Sequence, residues 1–115
     1  DGSCIRDYVH VMDIAKAHVL ALRYLENKKN VSEIVNLGTG QGVSVLEAIN
    51  MFLEVSGTTL NYKIGPAREG DVIEIYSDTS KATELLGWKA GFGLREMMDS
   101  AWKWELYMKN EAVTV

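Results

Sequence analysis

Residues 38–42 carry a glycine at every second position, and this loop limits the fold more than any other feature of the chain. A short β-branched stretch, residues 34–37, comes directly before it. After it, Ser44 and Glu47 form an S-x-x-E pattern, which is typical of a capped helix start. A strand, a glycine loop and a helix in this order predict an α/β architecture.

The glycine loop allows two interpretations. A nucleotide-binding turn has the spacing G-x-G-x-x-G, whereas residues 38–42 have the spacing G-x-G-x-G. No acidic residue ends a second strand about 20 residues later, where such a fold would contact the ribose. We therefore favour a structural turn, and phosphate binding remains the alternative.

Periodicity extends the α/β prediction to the rest of the chain. Apolar residues alternate over residues 5–11, which predicts a strand, although Asp7 lies on its apolar side. Asp13 is the expected N-cap of a helix whose apolar pattern fades near residue 26. Further strands are predicted at 34–37, 60–64 and 72–76, and further helices from Ser44 to Gly57, from Asp78 or Thr79 to Gly87, and from Leu94 to a tail at 110–115.

Composition excludes several classes of protein. The 115 residues fit one domain, and 12 Lys+Arg against 16 Asp+Glu give a net charge of −4, which disfavours nucleic acid and anionic membranes as partners. No apolar run approaches the roughly 20 residues that span a bilayer. Cys4 is the single cysteine, so no intrachain disulfide or typical zinc site is expected. We expect a soluble cytoplasmic protein.

Two further patterns have plain structural explanations. Tyr24 and Lys28 have the Y-x-x-x-K spacing of a catalytic pair, but no dinucleotide-binding half-fold precedes them, which favours coincidence. His10 and His18 belong to different predicted elements, so each is expected to be a hydrogen-bonded structural histidine rather than a metal ligand.

Two tryptophans of the last helix cannot share one core. Trp102 and Trp104 lie about 200° apart around an ideal helix. One of them is therefore expected at a surface, where it packs on a missing or partner segment or, less favoured, stacks on a nucleobase.

Two arginines carry the clearest functional signal. Arg6 lies on the polar face of the first predicted strand, and Arg68 lies in a loop that also contains Asp71. Two guanidinium groups that converge can hold a diphosphate, and a carboxylate beside them can accept hydrogen bonds from ribose hydroxyls. From residue types alone, solvated surface arginines remain the more common explanation.

Five segments together resemble one family. Residues 1–13 are similar to the D-G-T-C-I-R-D-Y-I-H-V-x-D segment of the UDP-glucose 4-epimerases, which belong to the extended short-chain dehydrogenases/reductases. Residues 36–40 with 44–45, 68–71, 80–88 and 101–104 match later segments of that family in the same order. The resemblance extends from residue 1 to about residue 108.

The resemblance implies a role for four residues. In such an enzyme Arg6 and Arg68 would contact the UDP diphosphate, Asp71 would bond the ribose, and Tyr8 would add a hydroxyl contact near the phosphates. No residue of this chain would be catalytic, and residues 38–42 would have no cofactor role. Residues 1–115 would form one small α/β substrate-binding domain with about four helices and a few short strands.

The resemblance also implies that this chain is a C-terminal part. The dinucleotide-binding domain that holds NAD is absent from it, so we expect the chain to anchor a UDP-hexose, to pack against that missing domain and to be inactive alone. The parent enzyme would interconvert UDP-galactose and UDP-glucose. The alternatives are a part of another nucleotide-sugar epimerase or dehydratase, or a stand-alone, non-catalytic binding remnant.

The chain departs from the family pattern at three places, of which Ser3 in place of the usual threonine is mild. Ala67 replaces an arginine that many members carry, which implies a weaker diphosphate clamp, and residues 111–115 do not match the family's ending. Without its partner domain the chain would expose contact surface, for which Trp104 and Met108 are candidates. Exposed apolar surface of this kind can drive self-association.

Overall fold

Four helices and a two-stranded ribbon make up the computed structural model, which describes residues 1–110. The helices are α1 (Val11–Leu25), α2 (Val45–Ser56), α3 (Ser80–Leu86) and α4 (Leu94–Asn110). Strands β1 (Ile5–Arg6) and β2 (Val43–Ser44) are antiparallel, with Ile5 opposite Ser44 and Arg6 opposite Val43. The expected small α/β fold is confirmed. The predicted tail lies outside the described residues, except that Asn110 belongs to α4.

The strands are shorter and fewer than the sequence predicts. Residues 34–37 and 60–64 have strand composition but form no ladder, and Ile34 and Ile64 are 83% and 82% exposed. Residues 72–76 make one parallel bridge, between Ile5 and Glu74. An extended segment becomes a strand only when a neighbour takes its hydrogen bonds, and the described part of the chain offers these segments almost none.

The first helix begins differently from the prediction. Asp13 is not its N-cap; His10 is, and its Nδ1 accepts a hydrogen bond of 3.0 Å from the amide of Met12. This cap shortens the predicted strand, because the backbone must turn into α1 at residue 11. The capping box of Ser44 and Glu47 is confirmed.

Asp13 instead joins the start of α1 to the segment before α4. It is 1% exposed, and its Oδ1 and Oδ2 accept hydrogen bonds of 3.0 and 3.1 Å from the amides of Gly91 and Phe92. Its carbonyl accepts a bond of 2.8 Å from the buried indole of Trp88. Trp88 forms the core with Ala17 and Ala82. Asp13 therefore connects this core to α1 and to the segment before α4.

Helix α2 packs against α4. Phe52 meets Trp102 edge to face, with ring centroids 5.5 Å apart. Trp104 is 57% exposed and stacks on Tyr107 at 5.4 Å. The prediction that one of the two tryptophans lies at the surface is confirmed.

None of the described helices is long and apolar enough to cross a membrane. Cys4 is a free cysteine. The cytoplasmic location stays a prediction.

Replacing Asp13 by alanine tests its role in the core. The substitution removes the acceptor of the Gly91 and Phe92 amides and keeps the backbone carbonyl that Trp88 binds, so the free energy of unfolding should fall by about 2–4 kcal/mol. Urea unfolding followed by tryptophan fluorescence measures it. Glu105→Ala, on the exposed side of α4, is the control and should change stability by less than about 0.5 kcal/mol. Equal stability of the two variants would contradict the assignment.

Candidate functional site

Arg6 lies at the end of β1 and reaches the loop that carries the second predicted arginine. Its Nη1 donates to the carbonyls of Ile5 and Val72, at 2.8 and 2.7 Å. Both hydrogen bonds that the described residues offer this side chain start at Nη1. The Nε and Nη2 groups can therefore donate to a ligand, while Nη1 holds the guanidinium on the loop.

Arg68 and Asp71 occupy one turn of that loop. The Nε of Arg68 lies 3.1 Å from Oδ2 of Asp71, and the amide of Asp71 donates to the carbonyl of Arg68 at 3.3 Å. The Arg68 side chain is 84% exposed, so the pair contributes little to stability. It does hold the guanidinium and the carboxylate side by side, one residue from the carbonyl that Arg6 binds.

Tyr8 lies away from this turn. It lines a cavity of about 320 Å³ together with the glycine loop and the segment before α4, which includes Thr39, Gln41 and Phe92. The structure thus brings Arg6 next to the Arg68–Asp71 pair and places Tyr8 in a separate depression beyond the same strand.

Asp7 lies between Arg6 and Tyr8, two of the predicted substrate-binding residues, and its carboxylate accepts four hydrogen bonds. Its Oδ1 accepts from the amide and the hydroxyl of Thr39, at 2.8 and 2.7 Å. Its Oδ2 accepts from the amides of Gly40 and Ser77, at 3.0 and 3.2 Å. Burial alone would raise the pKa of the Asp7 carboxyl, but the hydrogen bonds from Thr39, Ser77 and Gly40 outweigh it and hold the pKa below its ordinary value of 3.8.

This arrangement supports the structural interpretation of the glycine loop. The amides of Thr39 and Gly40 are bonded to Asp7, so they are not available to a pyrophosphate. A Cβ at Gly38 would overlap the Asp7 carboxylate and lie 2.7 Å from the hydroxyl of Ser77, so only glycine fits there. Gly40 has a φ of 75°, which also favours glycine.

The other candidates make structural contacts. Lys28 lies over the ring of Tyr24, 4.3 Å from its centroid, which is a cation–π contact rather than a contact with the hydroxyl. His10 Nε2 meets the hydroxyl of Ser100 at 3.0 Å, and His18 Nδ1 meets the carbonyl of Ile14 at 2.8 Å. Among residues 1–110 no group of three or more His, Cys, Asp or Glu side chains is placed to hold a metal ion.

The role of Asp7 as a hydrogen-bond acceptor for the glycine loop was not predicted from the sequence. An acidic side chain on the apolar side of an alternating strand is costly unless it is hydrogen-bonded, and the glycine loop offers free amides. Those two signals together point to the contact. The order of the partners along the chain, at residues 39, 40 and 77, cannot be read from the pattern.

Comparison with known proteins agrees with the arrangement of motifs. Residues 1–101 match the family model described as GDP-mannose 4,6 dehydratase. The chain is 49% identical over 105 residues to the bifunctional UDP-glucose 4-epimerase and UDP-xylose 4-epimerase 1 of Pisum sativum, over 90% of this chain and 30% of that protein.

Two solved structures resemble the fold closely. The UDP-glucose 4-epimerase of Stenotrophomonas maltophila with bound NAD and formylated UDP-arabinopyranose superposes with a TM-score of 0.90 and 45% identity, over 96% of this chain and 33% of that one. The Bifidobacterium longum enzyme in complex with NAD+ and UDP gives 0.86 and 41%, over 96% and 32%. The chain therefore spans about a third of the length of the relatives it matches.

The lowered pKa of Asp7 predicts a specific acid sensitivity. Since the pKa in the folded state lies below that in the unfolded state, the carboxylate stabilises the fold above about pH 4 and loses this effect as the pH falls through the folded-state pKa. Asp7→Asn should therefore be less stable than the unaltered chain at neutral pH, and the difference should shrink as the pH falls through the lowered pKa of Asp7. Urea unfolding at a series of pH values measures both curves.

Asp78→Asn is the matched control. Hydrogen bonds from the hydroxyl and amide of Ser80 also lower the pKa of Asp78, but that carboxylate is fully exposed and its bonds are local, so its effect on the curve should be smaller. Parallel curves for Asp7→Asn and the unaltered chain would refute the prediction.

Proposed function

The chain belongs to the family whose model is described as GDP-mannose 4,6 dehydratase, and we propose that it is the UDP-anchoring C-terminal part of an NAD-dependent UDP-glucose 4-epimerase. The observation that supports this most is the bond from Arg6 to the carbonyl of Val72, 2.7 Å long. It holds one guanidinium next to the turn in which Arg68 and Asp71 form an ion pair.

The geometry suits a nucleoside diphosphate. The terminal nitrogens of Arg68 and the Nε and Nη2 of Arg6 are the donors for phosphate oxygens, since guanidinium groups bind such oxygens in pairs. The Oδ1 of Asp71 has no hydrogen-bond partner among the described residues, so it can accept a hydrogen bond from a ribose hydroxyl. Its Oδ2 accepts the bond from Nε of Arg68. Tyr8, in its separate cavity, is the outermost of the proposed contacts.

The contribution of this chain to catalysis is binding and orientation. In such an epimerase bound NAD supplies the reversible hydride transfer at the hexose. The two arginines would hold the unchanging UDP half of the substrate while the sugar half reacts. Binding energy from a remote, non-reacting group lowers the barrier when it fixes the reacting group in place.

NAD itself does not fit the described residues. The amides of the glycine loop are bonded to Asp7, and the Tyr24–Lys28 pair is held as a ring contact. We therefore assign NAD to a dinucleotide-binding domain outside this chain.

The structure offers a surface for that domain. Val11 and Leu22 form an apolar stripe on the outer side of α1 and are 71% and 69% exposed. An open cavity of about 420 Å³ lies between α1, the extended residues 31–37 and α3. Since residues 31–37 have strand composition and Ile34 is 83% exposed, a strand of the other domain could pair beside them. Self-association of the isolated chain through the same surface stays a prediction, which light scattering measures.

The proposed contacts leave open which sugar the UDP-sugar substrate carries. The Pisum sativum relative carries both UDP-glucose and UDP-xylose in its name, so a change at the sugar is compatible with this scaffold. All proposed contacts of this chain reach the UDP half. Another nucleotide-sugar epimerase is therefore the alternative, and a substrate panel assayed with the complete enzyme distinguishes the two.

Removing either arginine tests the diphosphate clamp. Arg6→Ala and Arg68→Ala should each raise the Kd for UDP about 10- to 100-fold, as expected for the loss of hydrogen bonds to a charged group. Isothermal titration calorimetry with UDP measures it. Arg95→Ala is the matched control, because this arginine pairs with Glu54 between α2 and α4 and should leave the affinity unchanged. Unchanged affinity in both site variants would refute the clamp.

The chain by itself should not convert one sugar into the other. With NAD and UDP-glucose added, we expect no UDP-galactose above background, because no described residue is placed to bind the cofactor or to exchange the proton. Chromatography of the nucleotide sugars measures the product, with a full-length UDP-glucose 4-epimerase as the positive control. Turnover by the chain would show that it contains a complete active site.

A further inference from the structure

We infer that Asp7 is a positioning residue for the UDP anchor: its carboxylate fixes residues 72–77 against the strand that carries Arg6. The inference rests on the proposed function and adds to it a residue that touches no substrate. Asp7 lies between Arg6 and Tyr8, and side chains alternate along an extended chain, so it points away from the ligand side.

Residues 72–77 are held against β1 at both ends. At the start, the amide of Ile5 donates to the carbonyl of Ile73 at 2.8 Å, and the amide of Ile75 donates to the carbonyl of Ile5 at 3.1 Å. At the far end, the amide of Ser77 donates to Asp7 at 3.2 Å. Arg6 binds the carbonyl of Val72 just before this stretch, next to Asp71. A shift of the segment would therefore move Asp71 relative to Arg6.

The strands alone give this register little support. β1 and β2 are two residues long each, and β1 meets residues 72–77 through a single bridge. So short a ladder is marginal in water. The Asp7 carboxylate adds four hydrogen bonds, and those from Gly40 and Ser77 share its Oδ2, so the same atom fixes the glycine loop and the segment.

Only an aspartate fits this position. Both oxygens accept two bonds each, so the amide of an asparagine would turn a donor toward two donors. The side chain also lies against the backbone of Gly38, where a Cβ would overlap the carboxylate. Asp7→Asn thus replaces one of the two acceptor oxygens by a donor while keeping the shape.

Amide hydrogen exchange tests the register without any ligand. In Asp7→Asn the amides of Ile5 and Ile75, neither of which is bonded to Asp7, should gain about tenfold more in exchange rate than the amides of α2, which change only through the loss of global stability. General destabilisation would instead speed the exchange of all core amides together. Thr39→Val removes one donor and leaves the carboxylate, so it should give a smaller change at the same amides. Asp78→Asn is the control and should change neither.

UDP binding tests the link to the anchor. Asp7→Asn should raise the Kd for UDP about 5- to 20-fold, since weakened positioning costs part of the arginine's bonds. If Asp7 acts through Arg6, the double variant Arg6→Ala/Asp7→Asn should bind UDP no worse than Arg6→Ala alone. Calorimetry on the four proteins completes this double-mutant cycle.

The outcomes separate the two proposals. If UDP binds, Arg6→Ala weakens it and Asp7→Asn does not, or the two effects add, the positioning role is wrong and the proposed function stands. If the unaltered chain does not bind UDP, or Arg6→Ala has no effect, the proposed anchor fails and the positioning role fails with it. Uniform acceleration of exchange across the core would also overturn the positioning role.

Discussion

The carboxylate of Asp7 is the interaction on which the candidate site most depends. It gathers the glycine loop, the first strand and the segment before α3 at one point, although these parts are distant in sequence. A half-buried charge is stable only when its oxygens are hydrogen-bonded, and here four donors satisfy it. The backbone around it is otherwise irregular, because each strand of the ribbon is two residues long.

Helix positions were largely predictable because helix signals are local. Ser44 and Glu47 cap α2 within four residues, and Gly57 and Gly87 end α2 and α3 in the left-handed conformation that glycine favours. The wrong prediction of Asp13 as the N-cap of α1 shows the limit of local signals. An aspartate near the start of a helix often caps it. Here the Asp13 carboxylate instead accepts hydrogen bonds from the distant amides of Gly91 and Phe92, and His10 caps the helix.

Strands were less predictable because a strand is defined by its partner. Residues 34–37 and 60–64 have the right composition and no ladder in the described part of the chain. The candidate site shows the same division. The residue types at Arg6, Arg68 and Asp71 allowed anion and ribose contacts but favoured solvated surface side chains, and the roles came from the resemblance to a family. Their arrangement around the carbonyl of Val72 required the fold.

Arg6 combines two tasks that are usually given to separate residues. One of its nitrogens binds the carbonyls of Ile5 and Val72, and in the proposed anchor the other nitrogens would bind the diphosphate. Lysine could supply the charge at this position but not both tasks, since its ammonium is a single point without a planar fork. The site and the fold are therefore joined in one side chain.

The hydrogen bonds of Asp7 also bear on the order in which the chain folds. They join residues separated by 32, 33 and 70 positions, whereas the caps and helices form within a few residues. Long loops must close before such contacts give any stabilisation, so helices form early and distant contacts form late. We therefore expect the segments that carry the proposed anchor to be among the last parts of the molecule to assemble, after the helices.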